Sequence, residues 1–261
     1  MKIAIIGAGA MGGALAQGLI RGTVFAPQDV IVANPHADKL RHLADMGATT
    51  TTDNRLAVAD ADFIALVVKP WLVQPVIEEI KSGLDYSRQS ILNMAASVSS
   101  QELLKWLDNG TQAPCLHQVI PNTAIAVKSS MTFIAPCRAT PRQTEAVAAI
   151  FNDLGKAMIV DEQLLPAGTM MAGCGIAYAM RYIRAAAEGG VELGFKADVA
   201  KDIVLQTVKG AVDLLMQTGS HPEAEIDKVT TPGGLTIKGL NAMEHAGFTS
   251  SVIQGLKAGL Q

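Results

Sequence analysis

Lys2-Ile3-Ala4-Ile5-Ile6-Gly7-Ala8-Gly9-Ala10-Met11-Gly12-Gly13 begins with a short apolar run and enters a glycine-rich turn. The residues behind it, Ala14-Leu15-Ala16-Gln17-Gly18-Leu19-Ile20, have helical spacing, so the stretch reads as strand, turn, helix. Gly7, Gly9 and Gly12 fit the spacing in which one glycine makes a tight turn, one admits a pyrophosphate to the backbone, and one lets helix pack on strand. The unpaired amides of the helix start would face the anion. Gly7, Ala8, Gly9, Ala10, Met11 and Gly12 are therefore the first candidate ligand contacts. Their setting between a buried-type strand and a helix favours a bound dinucleotide over an ordinary turn.

Beyond this stretch, apolar runs at 30–33, 63–68 and 90–94 read as buried strands, with a shorter β-rich run at 48–52. Between them, helices are expected over 37–46, from Asp53-Asn54-Arg55 onward, through 76–80, and behind a Ser99 cap with Leu103, Leu104 and Leu107 on one face. Further strands are expected at 115–120, 131–135 and 157–160, with a helix over 141–151 that Thr140 caps and Pro141 begins. Parallel strands need crossover connections, so this alternation predicts an α/β fold: an N-terminal Rossmann-type, doubly wound, mostly parallel sheet. Beyond Asp161 the β-type runs stop, and Ala-, Met- and Leu-rich segments at 164–193, 197–218 and 232–245 predict an all-helical C-terminal domain. The expected domains are thus residues 1–160 and 161–261.

The 261-residue chain is 49% hydrophobic and 17% charged, against about a quarter charged in ordinary domains. Some apolar surface is therefore expected to be buried between subunits, and the small-residue helices make the C-terminal domain the place for homodimerisation. A net charge of −3 gives no electrostatic reason to expect a nucleic acid or a membrane surface as partner. Cys115, Cys137 and Cys174 are odd in number and far apart, with no metal-binding or redox spacing. They read as free, buried thiols in a reducing compartment, and with no signal peptide expected the location is cytoplasmic. The longest uncharged run, 164–180, is too short for a bilayer and is broken by glycines and Pro166, so it reads as a buried helix.

An acidic residue normally meets the adenosine ribose at the end of the second strand. Here Asn34-Pro35-His36 stands there, with Lys39 and Arg41 behind, so NADP(H) is favoured and NAD(H) is the alternative. Lys69-Pro70 and Ala95-Ala96 follow the two strongest later strands and fall at the sheet edge where such folds bind ligands; the small side chains of Ala95 and Ala96 suit approach of a flat nicotinamide ring. A second unusual stretch is Thr231-Pro232-Gly233-Gly234-Leu235-Thr236. With Thr231 as cap and Pro232 as first helical residue, the amides of Gly233, Gly234 and Leu235 would be free at a positive helix end, suited to a carboxylate.

These residues resemble the pyrroline-5-carboxylate reductases. The motifs that carry the resemblance are Gly7-x-Gly9-x-Met11-Gly12, Val68-Lys69-Pro70, Pro121-Asn122-Thr123, the 172–178 segment Ala-Gly-Cys-Gly-Ile-Ala-Tyr, and Thr231-Pro232-Gly233-Gly234-Leu235-Thr236. The resemblance implies reduction of the cyclic imine 1-pyrroline-5-carboxylate to L-proline, the last step of proline biosynthesis, by a dimer that can assemble further into rings. It implies cofactor contacts at Gly7 to Gly12, Asn34, Asn54, Lys69, Pro70, Ala95 and Ala96. Substrate contacts are implied at Glu162, Thr231, Gly233, Gly234, Leu235 and Thr236, with the Thr236 hydroxyl on the ring nitrogen. Ala172, Cys174 and Ile176 stand where the family has Ser, Ser and Pro, so neither of those serine positions is assigned a catalytic role. Thr231 stands for Ser, Leu235 for a small residue or Thr, and Ala124 for Pro.

Two other readings compete. A β-hydroxyacid dehydrogenase shares the glycine-rich start, but its family uses a lysine with an asparagine one helical turn away, and residues 157–195 contain neither. A nucleotide-binding sensor without catalysis is the alternative from a different class.

Overall fold

The computed structural model describes residues 1–110 and 112–260; Thr111 and Gln261, the last residue of the expected helical domain, lie outside the described residues. The chain divides into two compact units, Met1–Gly173 and Cys174–Gln261.

In the first unit the strands are β1 (Ile3–Ile6), β2 (Val30–Ala33), β3 (Thr49–Thr51), β4 (Phe63–Leu66), β5 (Ser90–Asn93), β6 (Cys115–Ile120), β7 (Ser130–Cys137) and β8 (Gly155–Ile159). The helices are α1 (Ala10–Arg21), α2 (Arg41–Asp45), α3 (Asn54–Val58), α4 (Pro70–Ile80), α5 (Ser100–Leu107), α6 (Pro141–Asn152) and α7 (Leu165–Gly168). One sheet holds all eight strands in the order β3-β2-β1-β4-β5-β6-β7-β8. Every pairing is parallel except β6 with β7, which the short 121–129 connection forces to be antiparallel. The first six strands thus have the order of a dinucleotide-binding sheet, with the chain diverging beyond β1 and β4.

Strand alternation explains why these runs are apolar throughout. Ile3 and Ile5 of β1 point to one face and pack with Leu15 and Leu19 of α1 and with Val147, Ile150 and Phe151 of α6. Ala4 and Ile6 point to the other, where Val58 of α3, Val73 and Ile77 of α4, and Leu103 and Leu107 of α5 cover them. The expected caps are present: Ser99 and Thr140 each make a capping box, and Asp53 accepts from the amides of Arg55 and Leu56. Helix α4 begins at Pro70, earlier than the expected 76, because proline is pre-set for a first helical position and loses no hydrogen bond there.

The compact units part between Gly173 and Cys174, because the segment after Asp161 packs on the sheet. Leu165 of α7 is buried with Ile120 and Ala135 of the sheet, and Gly168 lies so close to Phe133 that an added Cβ would sit 2.8 Å from its ring. The segment Thr169–Cys174 is a π-helical turn, and Asn122 Nδ2 donates to the carbonyl of its Ala172 at 3.3 Å. Residues 161–173 are therefore fastened to the sheet. The expected continuous helix over 164–193 is correspondingly broken.

The second unit contains α8 (Gly175–Glu192), α9 (Ala197–Thr218), α10 (Pro222–Lys228), α11 (Leu235–His245) and α12 (Phe248–Ala258). Gly190 of α8 meets Ala200 of α9 closely, Tyr178 Oη donates to the Gly255 carbonyl at 3.3 Å, and the Tyr182 and Phe248 rings meet edge to face. Contrary to the buried helix expected from 164–180, α8 contains no buried residue. Among the described residues of this unit Ala200 is the one buried hydrophobic. The thiols differ from expectation too: all three are free, but only Cys115 is buried.

Candidate active site

The glycine-rich turn has the geometry its spacing implies. Gly7 donates to the Ala33 carbonyl at 2.8 Å and adopts a φ of +110°, which a side chain would strain, and an added Cβ on Gly12 would fall 1.8 Å from the Gly7 carbonyl oxygen. Both are required by the backbone itself. Gly9 is different: a Cβ there would meet nothing within 4 Å, so the space beside it is open to a ligand. Gly9 is also the cap of α1, with no side-chain cap hydrogen bond and no acidic residue in the first turn. The amides of Ala10, Met11 and Gly12 consequently end the helix as an uncompensated positive pole. Ala8 is buried, and Ala10 is exposed. These features fit a dinucleotide pyrophosphate.

Asn34 is 7% exposed, at the end of β2. Its Oδ1 accepts the His36 amide at 2.9 Å, an Asx turn that occupies the acceptor and leaves Nδ2, a donor, without a partner among the described residues. His36, Lys39 and Arg41 are exposed beside it. Asn54 opens α3 and gives its Nδ2 to Glu79 Oε2 at 2.9 Å, which leaves its Oδ1 as the available atom. Lys69 caps α4 with its side chain exposed and unpaired among the described residues, and Pro70 follows as the first helical residue.

Ala95 is buried and Ala96 exposed, in the turn beyond β5. Ser97 in this turn has a φ of +65°, a conformation worth about 1–3 kcal/mol of strain outside glycine, which the surroundings must hold. They do so through Asn93 and Gln118, two fully or almost fully buried carboxamides that the sequence reading passed over. A polar residue closing an otherwise apolar strand at its carboxyl end was the signal available. The turn also ends in the capping box of α5, where the Ser100 amide donates to Glu162 Oε1 at 2.9 Å. Glu162 therefore has a helix-capping task across the unit, with its second oxygen left over.

The Thr231 to Thr236 stretch differs from expectation. Helix α11 begins at Leu235 with Gly234 as its cap, so Thr231 is not the cap and Pro232 is not the first helical residue. The Gly234 amide donates to the Thr231 carbonyl at 2.9 Å, and Gly233 takes a φ of +69°, so Pro232 and Gly233 occupy the middle of a type II turn. The Gly234 amide is spent on that turn. The unpaired amides are those of Leu235, Thr236 and Ile237, with no side-chain cap and no acidic residue in the first turn. The Thr231 hydroxyl packs against Gly234, 2.4 Å from where a Cβ would stand. Leu235 is 88% exposed, and Thr236 presents an exposed hydroxyl without a partner among the described residues. The anion-attracting helix end survives, moved forward by one turn. The candidate nucleotide contacts and Glu162 belong to the first unit, and the Thr231 to Thr236 turn belongs to the second.

Residues 162–261 match the family described as pyrroline-5-carboxylate reductase dimerisation, and residues 2–96 match the family described as NADP oxidoreductase, coenzyme F420-dependent. A pyrroline-5-carboxylate reductase of Synechocystis sp. is 34% identical over 99% of this chain and 95% of its own length. Pyrroline-5-carboxylate reductase 1 of Dictyostelium discoideum is 35% identical over 97% of this chain, which spans about half, 48%, of that longer protein. The crystal structure of a Plasmodium falciparum pyrroline carboxylate reductase with NADP bound superposes with a TM-score of 0.89 at 23% identity, covering 99% of this chain and 95% of that one, a likeness of fold.

Proposed function

The chain belongs to the pyrroline-5-carboxylate reductase family, and from that premise we propose how its own residues carry out an NAD(P)H-dependent reduction of 1-pyrroline-5-carboxylate to L-proline. The observation that carries the reading is the pair of uncompensated helix ends, α1 behind Gly9 and α11 behind Gly234, each suited to one anion of a two-ligand reaction.

The α1 amides and Gly9 hold the pyrophosphate. Asn34 Nδ2 and the cations behind it receive the ribose, and a donor in place of a carboxylate supports NADP(H) over NAD(H). A reduced nicotinamide supplies the hydride when bound. The α11 amides hold the substrate carboxylate, and the Thr236 hydroxyl hydrogen-bonds the ring nitrogen, fixing the face of the imine that is presented. A protonated imine is already electrophilic, so the protein's contribution is orientation and exclusion of water rather than a nucleophile or a metal.

A homodimer formed through the second unit is supported by its lack of a core, with Leu193 83% and Met216 78% exposed and an apolar groove of about 550 Å³ lined by Tyr182, Met243, Phe248 and Val252. Three free thiols support a reducing, cytoplasmic setting. The test is one absorbance trace: purified protein with NADPH and the imine oxidises the cofactor, and NADP with β-hydroxy acids gives no reaction. A protein that binds NADPH but leaves it reduced in the presence of the imine contradicts the reading.

A further inference from the structure

Asn93 and Gln118 are register partners on the neighbouring strands β5 and β6, at the carboxyl edge of the sheet. Asn93 Nδ2 donates to Gln118 Oε1 at 2.7 Å and to the Ala95 carbonyl at 3.0 Å, while Asn93 Oδ1 accepts the Ala95 amide at 3.3 Å. Gln118 Nε2 in turn donates to the Val98 carbonyl at 2.9 Å and to Ser100 Oγ at 3.3 Å. All four N–H bonds of the two carboxamides are thereby used, and each carbonyl oxygen has a donor. With Asn93 0% and Gln118 3% exposed, the network is shielded from competing water.

The two side chains grip the Ala96-Ser97 turn at both ends, Asn93 on the Ala95 carbonyl and amide and Gln118 on the Val98 carbonyl. The turn holds Ser97 at positive φ. These side-chain bonds fix where residues 95–98 run over the sheet edge.

We infer that Asn93 and Gln118 are positioning residues for hydride transfer: they pre-form the Ala95-Ala96 turn as the backbone wall against which the nicotinamide ring is seated. This rests on the reductase reading, which puts the nicotinamide at Ala95 and Ala96. A pre-formed wall fixes the ring without contributing to the hold on the pyrophosphate or the adenosine, so its loss acts on turnover more than on cofactor affinity.

Gln118→Met keeps the side-chain volume and removes the three hydrogen bonds. The expected result is a folded protein whose kcat falls about tenfold or more while the Kd for NADPH and the KM for the imine stay within about threefold, and whose bound NADPH loses the fluorescence enhancement of an immobilised nicotinamide. A folded Gln118→Met with wild-type kcat and wild-type bound-cofactor fluorescence overturns the inference. A second measurement needs no variant: exchange of the Ala95 amide, which Asn93 Oδ1 accepts, is expected to be slow in the wild-type protein without cofactor and little changed by NADPH. Fast exchange that becomes slow only with NADPH overturns it equally. Absence of imine reduction by the wild-type protein would instead count against the reductase reading, and the exchange and fluorescence measurements would still decide on the brace.

Discussion

The Gly234 amide donates to the carbonyl oxygen of Thr231 at 2.9 Å, and this one bond decides what the second glycine-rich stretch is. It closes a Pro232-Gly233 turn, ends the backbone path at Gly234, and delivers Leu235 and Thr236 as the first two residues of α11. The Thr236 hydroxyl and the first free amides of the helix thus come from the same turn, a placement suited to a ligand that carries a carboxylate next to a ring nitrogen.

Thr236→Ala separates that role from a structural one. Alanine is the better helix former, so stability should change by about 1 kcal/mol or less. Loss of one hydrogen bond to a charged nitrogen should cost about 1.5–3 kcal/mol at the transition state, about ten- to a hundredfold in kcat/KM. Steady-state kinetics should give a folded enzyme with normal NADPH affinity and slow turnover. Wild-type kcat/KM would remove Thr236 from the site.

Asn34→Asp keeps an oxygen for the His36 amide and exchanges the Nδ2 donor for a negative oxygen. The Asx turn should persist while a 2′-phosphate is repelled. Titration should show NADPH weakened by about tenfold or more, and NADH much less. Equal weakening of both would mean that the ribose does not lie at Asn34.

Ile183 is half-buried on α8, in a unit whose described apolar side chains are, Ala200 apart, exposed or only half-buried. An Ile183→Arg change should give monomers or insoluble protein with no imine reduction, as read by light scattering and assay. A soluble, fully active monomer would contradict dimerisation through this unit.

His117 is completely buried on β6, with Nε2 at 3.3 Å from Thr144 Oγ1 and Nδ1 without a partner among the described residues, and burial pushes its pKa down to about 4 from the ordinary 6.5. The unfolded chain takes up a proton as pH falls through about 6.5, and the native protein does so only near 4. Its contribution is therefore complete above pH 6.5 and is lost as pH falls toward 4, by about 2 kcal/mol at pH 5. Denaturant unfolding at fixed protein concentration should lose that much stability between pH 7 and pH 5, and His117→Leu should lose correspondingly less. Equal losses in both proteins would assign the acid sensitivity elsewhere.

The first unit was legible because its signals are local: Gly7, Gly9 and Gly12 between strand and helix, caps at Asp53, Ser99 and Thr140, and apolar runs that stop at turn residues. What escaped depends on tertiary contact or on equivalent local codes. Proline followed by glycine signals both a helix start and a type II turn, and only the positive φ of Gly233 selects the turn. The π-helical turn at Thr169–Cys174 and the attachment of Leu165 to the sheet have no periodic signature. Asn93 and Gln118 lie 25 residues apart and meet only through strand pairing, so neither was visible as part of a site.

The most direct test follows an isotope. The wild-type protein is mixed with 1-pyrroline-5-carboxylate and NADPH dideuterated at nicotinamide C4, and the product is analysed by mass spectrometry. Direct transfer predicts proline carrying a single deuterium at the former imine carbon, formed in equal amount to the oxidised cofactor. Unlabelled proline, or oxidation of the cofactor without proline, would contradict the account.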